Sequence, residues 1–222
     1  AKKIIKELNV PNKLADNFYW TSKNHSDRGD LDSAIVYLNR AIEIHQKLGN
    51  MSLVGPLYYE LSADYATKGD IDNSLEMMIK SSSLLNEVND TTRIPWAQFH
   101  TGIIYFLKQE YKIAVDEYMD PAIAALKEMD EEDLGLFYTS IYFLCLKEIK
   151  REYDITDLKK LIEKEKDDID YIGNYYLFKL LGERPYLKNA FDQVMKDKSD
   201  LEPEVADKYI NYPIVKEIIK EW

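Results

Sequence analysis

The chain has 222 residues, 29 basic and 40 acidic, for a net charge of −11, with 45% hydrophobic and 31% charged side chains. Eight Gly and seven Pro are too few for a turn-rich all-β chain, so helices are favoured from the start. Carboxylates interleave with every basic stretch, which excludes the clustered Lys and Arg that duplex binding needs. No stretch nears the roughly 18 apolar residues of a membrane span. The opening Ala1-Lys2-Lys3-Ile4-Ile5-Lys6 lacks the apolar core of a signal peptide. A lone Cys145 within the apolar run Ile141 to Leu146 reads as a buried thiol in a reducing compartment. The expectation is a cytoplasmic protein with neither a nucleic-acid nor a membrane partner. A start without Met, in mid-helix, adds the expectation that this is part of a longer polypeptide.

In chain order, the first helices repeat. GDLDSAIVYLNRAIEIHQKLGN at 29 to 50 matches GDIDNSLEMMIKSSSLLNEVND at 69 to 90, and a third copy, QEYKIAVDEYMDPAIAALKEMD, runs from 109 to 130, an offset of 40 residues. Upstream of each copy lie the small residues Ser22, Ser62 and Gly102, with His25, Tyr65 and Tyr105 three positions later. Each unit reads as two helices. Gly29 or Gly69 marks the turn, and the Asp that follows caps the next helix. The second helix carries Ala34, Ser74 and Ala114, then bulky Leu38, Met78 and Tyr118, then Ala41 and Ser81, alternating small and large on one face.

These residues resemble the tetratricopeptide repeat over about positions 14 to 130, in a long variety whose extra length falls between Leu48 and Val54 and between Val88 and Pro95. Three departures stand out: His25 for the aromatic, Gln109 for the turn Gly, and Pro121 where a small residue belongs. Pro121 lacks a backbone donor and clashes with the carbonyl of Glu117, so a kink or a one-residue register shift is expected, with Ala122 as the small residue. The resemblance implies an all-α fold, a right-handed α-α superhelix. Residues 1–130 supply three helix pairs and a preceding helix, and 131–222 continue the same solenoid as degenerate repeats and a cap. The total is about five pairs.

Beyond 130 the apolar spacing predicts helices over Leu134 to Lys150, Asp157 to Lys166, Ile169 to Leu181, Pro185 to Lys196, Pro203 to Ile210 and Pro213 to Trp222, three of them opened by Pro. The last helix places Ile214, Val215, Ile218, Ile219 and Trp222 on one capping face. Its surroundings resemble the carboxy-terminal end of the repeat regions that follow class III nucleotidyl cyclase or ATPase modules in microbial signalling proteins. That resemblance implies the sensor or scaffold part of a larger regulator.

No phosphate-cradling, dinucleotide, zinc-protease or paired-cysteine motif is present. No catalytic residue, cofactor site or metal site is expected. His25, His45 and His100 fall at three different repeat positions and read as packing or capping residues. The runs Asp130-Glu131-Glu132-Asp133 and Asp167-Asp168 lack calcium-loop spacing and read as solvated surface.

In the tetratricopeptide register, the first helices line a concave surface. The first unit would present Asp16, Tyr19, Lys23, Ser26 and Asp27; the second Pro56, Tyr59, Ala63, Ala66 and Thr67; the third Trp96, Phe99, Ile103, Phe106 and Leu107. The third set is wholly apolar and must be covered, either by the chain's own later helices or by a partner. Tyr19, Lys23, Tyr59, Trp96, Phe99, Ile103 and Phe106 are therefore the candidate partner-binding residues. The expected function is non-enzymatic capture of a protein or peptide segment carrying basic and apolar residues. The alternatives are a sensor resembling bacterial peptide-pheromone receptors and a structural dimerisation module, so self-association is a further expectation.

Overall fold

The computed structural model describes residues 2–130 and 134–222, with side chains described from Val10 onward. Glu131, Glu132 and Asp133 of the acidic run lie outside the described residues. Among the described residues the secondary structure is entirely helical and turn, and consecutive helices pack on one another. The chain divides into two compact units, one ending at Ala97 and one beginning at Gln98.

The first unit holds α1 (Lys2–Asp27), α2 (Leu31–Lys47), α3 (Met51–Lys68) and α4 (Ile71–Glu87). Its core joins Ala15 of α1, Leu38, Ala41 and Ile42 of α2, Val54, Leu57 and Leu61 of α3 and Met77 of α4. The small residue of each first helix bonds the backbone of the second. Ser22 Oγ donates to the Ala34 carbonyl at 2.9 Å and Ser62 Oγ to the Ser74 carbonyl at 2.7 Å. Asp30 and Asp70 cap α2 and α4, accepting from the amides of Ser33 and Asn73. The extra length of the first repeat is mostly helix, since only Leu48–Asn50 separate α2 from α3.

Helix α5 (Ile94–Leu107) carries the chain into the second unit, followed by α6 (Tyr111–Ile113), a π-helical segment (Ala114–Met119) and α7 (Asp120–Glu128). The π turn is the one-residue shift that Pro121 demands: the Asp120 amide donates to the Val115 carbonyl, five residues back. Pro121 then falls in the first turn of α7, where a missing donor costs little. Met119, not Tyr118, fills the slot of Leu38 and Met78, and Ala122 fills that of Ala41 and Ser81; both are fully buried. Tyr118 instead stacks on Tyr105 at 5.0 Å, as Tyr37 stacks on His25 at 5.4 Å.

Turn geometry records the same shift. Left-handed φ occurs at Gly29, Gly49, Gly69, Asn89 and Gln109, at steps of twenty, then at Asp130 and Lys150. Most of these turns close as Asp30 does, its amide reaching back to the His25 carbonyl at 2.9 Å while Gly29 bonds Ser26.

The remainder comprises α8 (Gly135–Glu148), α9 (Ile155–Glu165), α10 (Tyr171–Leu181), α11 (Arg184–Asp200), α12 (Pro203–Tyr209) and α13 (Pro213–Glu221). Helix α11 outruns its apolar pattern, which fades in the polar run KDKSD, by four residues. Helix α10 packs between α8 and α11, and α13 lies on α11. Val215 and Ile218 of α13 are buried, whereas Ile219 and Trp222 are 37% and 47% exposed, so the predicted capping face is narrower than its sequence. Trp222 lies over Phe191 at 5.2 Å instead.

The close crossing of α5 with the π segment yields a contrast between two glycines. A Cβ on Gly102 would sit 2.7 Å from Met119 Cγ and 3.1 Å from the Ala114 carbonyl, whereas one on Gly55 meets Leu85 at an ordinary 3.4 Å. Gly102→Ala is expected to cost about 1–3 kcal/mol. Gly55→Ala should change stability by less than about 1 kcal/mol, since its helix propensity is offset by the new Cβ against the Pro56 ring. Urea denaturation of both variants checks this.

Candidate functional site

The site is assembled within the first unit from α1, α3, α4 and the start of α5. Facing turns of α1 and α3 carry a polar cluster because both helices present short or charged side chains there. Lys23 Nζ lies 3.6 Å from Glu60 Oε2, and Ser26 Oγ donates to Asp64 Oδ1 at 2.7 Å. Asp64 is 7% exposed. Its burial pushes the carboxyl up to about 6, helped by Glu60 and Asp27 and opposed by Ser26 and Lys23. The Lys23 ammonium is partly desolvated, which pulls its pKa down, yet Glu60, Asp27, Tyr19 and Asp64 together raise it above the ordinary value. The half-buried Tyr19 phenol is raised first by burial and then by Glu60.

Beside this cluster lies a cleft of about 220 Å³ lined by Pro56, Tyr59, Glu60, Leu85, Arg93 and Trp96. Of the predicted partner-binding residues, Tyr59 and Trp96 are thus brought together, and Tyr19 and Lys23 adjoin the Glu60 side of the same helix face. Arg93 is bonded to Asp90 at 2.6 Å. Sequence reasoning missed Glu60, Leu85 and Arg93, which face the cleft from positions outside the first-helix register.

The rest of the predicted apolar set lies in the second unit, where it is covered. Phe99 is fully buried and meets Tyr138 of α8 edge-on at 5.6 Å. Ile103 is buried, and Phe106 meets Tyr176 of α10 at 5.6 Å. Of the two coverings open to this set, the chain's own later helices supply these contacts.

The three histidines and the cysteine lie in packing or capping positions. His25 Nδ1 lies 3.0 Å from Asp30 Oδ2 at the end of α1. His45 is buried with its pKa lowered by desolvation. His100, 3.0 Å from the Tyr138 hydroxyl, is pushed down to about 3 by burial and stays neutral. The buried Cys145 thiol is pushed up to about 12. In the second unit a shallow hollow is lined by Lys112, Asp116, Asp120, Ile149, Lys150 and Arg151. Within it Arg151 and the Tyr142 hydroxyl both hold Asp120 at 2.7 Å, and Lys112 pairs with Asp116. Among the described residues, no cluster of three His, Cys, Asp or Glu side chains is placed to hold a metal ion, and no helix is long and apolar enough to cross a membrane.

No family model matches the sequence, and no curated protein matches it.

Two outcomes follow from this geometry. The folded Asp64 pKa of about 6 stands above its ordinary 3.8. Its contribution is therefore fully favourable below about pH 4 and is lost as pH rises through 6. Asp64→Asn keeps a partner for Ser26 and removes the titration. It should raise stability at pH 7 to 8 by about 1–3 kcal/mol and change little at pH 4, as measured by denaturation across that range. Phe99→Ala, which empties a fully buried site, should lose about 3–5 kcal/mol in the same assay.

Proposed function

We propose that the chain is a non-enzymatic interaction module of the tetratricopeptide-like α-solenoid class, which holds a peptide or helical segment of another protein on the α1–α3 face. The observation that carries this reading is the Tyr59–Trp96 cleft. It sets a half-exposed aromatic pair and Pro56 beside a charged strip on the helices that the repeat register assigns to partner contact. Exposed aromatics in a concave setting are the usual anchors of protein recognition. Stacked helix pairs offer such a surface without a chemical centre. The repeated Ser22–Ala34 and Ser62–Ser74 contacts support the repeat assignment. The resemblance to microbial regulators extends the reading to a signalling scaffold in the cytoplasm.

The test is selection of a displayed random-peptide library on the full chain, followed by affinity measurement with wild type, Tyr59→Ala and Trp96→Ala, each checked for native helicity. Enriched peptides should bind wild type and lose about tenfold or more in both variants. A library that never enriches, or peptides indifferent to both substitutions, would overturn the reading.

A further inference from the structure

The size and charge of the cleft narrow what it accepts. At about 220 Å³ it lies below the roughly 300–1,000 Å³ of sites that enclose a small molecule. It matches a single large side chain. Four of its lining residues, Pro56, Tyr59, Leu85 and Trp96, are apolar or aromatic, with Glu60 and Arg93 completing the lining, so the body of that side chain is apolar. Charge decides what flanks it. Along the adjoining α1–α3 strip, Lys23 feels three carboxylates, Glu60, Asp27 and Asp64, and Asp27 is exposed. On the opposite side Arg93 is neutralised by Asp90 at 2.6 Å. The surroundings of the cleft therefore carry excess negative charge, which favours cationic groups and penalises anionic ones.

We infer that the cleft takes one large apolar side chain from a lysine- or arginine-bearing peptide segment, whose cationic residues lie along Glu60 and Asp27. This rests on the interaction-module reading and adds the chemistry of the partner to it. The apolar side chain supplies most of the affinity, as a desolvated anchor does. The cationic residues supply orientation and rate, and their contribution falls with salt because the strip is open to solvent. A cation held at Glu60 and Asp27 also favours, through space, the ionised form of the buried Asp64. Ser26, Lys23 and Asp27 face that carboxyl from α1 and Glu60 from α3, and binding adds a further positive charge to that set. Binding thus releases a proton and strengthens as pH rises from 5 to 7.

The experiment uses the full chain and three matched sets of short synthetic peptides, each with a central Trp, Phe or Leu flanked by Lys, by Ser or by Glu. Affinity is measured by fluorescence anisotropy at low and high salt. Lys-flanked peptides should bind about tenfold or more tightly than Ser-flanked ones at low salt, and Glu-flanked peptides should bind worst. Replacing the central residue by Gly should abolish binding. Glu60→Gln combined with Asp27→Asn should bring the Lys-flanked set to the Ser-flanked level while the chain keeps its native helicity. Equal binding of the Lys and Glu sets, or binding that survives Trp96→Ala, overturns the cationic-anchor inference while leaving a peptide-binding module in place. Failure of all three sets, together with failure of the random library, removes the module reading itself. Concentration-dependent dimerisation of the chain alone that Trp96→Ala abolishes would assign the cleft to a second copy and overturn the inference.

Discussion

The first three helix pairs depend on one contact, the approach of a small residue on the first helix to a backbone carbonyl on the second, twelve positions later. Ser22 meets Ala34, Ser62 meets Ser74, and Gly102 stands where any Cβ would lie 3.1 Å from the Ala114 carbonyl. The two serines add a hydrogen bond that satisfies their buried hydroxyls, and the glycine achieves the approach by having no side chain. With the helices this close, large residues fit only in the gaps that Ala34, Ala41, Ser74 and Ser81 leave. That requirement places Leu38, Leu61 and Met78 in the core.

The third pair shows how strictly that contact is kept. Pro121 cannot stand mid-helix without losing a bond and crowding the carbonyl of Glu117. The helix widens into a π turn ahead of the proline and leaves the Gly102–Ala114 approach intact. Everything downstream moves by one residue. Met119 replaces Tyr118 in the core, Tyr118 swings onto Tyr105, and the left-handed turn falls at Asp130. The shift preserves the packing and changes which side chain performs each part.

The same packing separates two kinds of aromatic surface. In the second unit, α8 and α10 bring Tyr138 and Tyr176 against Phe99 and Phe106, so these rings are covered by the chain itself. In the first unit, Tyr59 and Trp96 border a cleft next to a strip where α1 and α3 share charged residues. Burying Asp64 there raises the energy of its ionised form.

Much of the fold was legible in the chain because its information is local. Helix starts at Asp30, Asp70 and the prolines, helix ends at Gly29 and Gly69, and the small-large alternation on a 40-residue step all lie within one or two turns of each other. The strain at Pro121 was equally local, and so was its remedy. The pairing of residues far apart in sequence was not legible. Nothing in the apolar pattern of α5 says that Phe99 would be covered by Tyr138 while Trp96, three residues earlier, would line a cleft. Leu85 and Arg93 join that cleft from outside the first-helix register, and Asp64 acquires its raised pKa only when packing buries it, with Glu60 and Asp27 adding to the rise and Ser26 opposing it. Sequence by itself determined the helices, their caps and the close crossings, since backbone hydrogen bonding and side-chain size act between near neighbours. Tertiary structure alone decided which apolar and charged groups remain accessible, because burial depends on what the rest of the chain places on top of them.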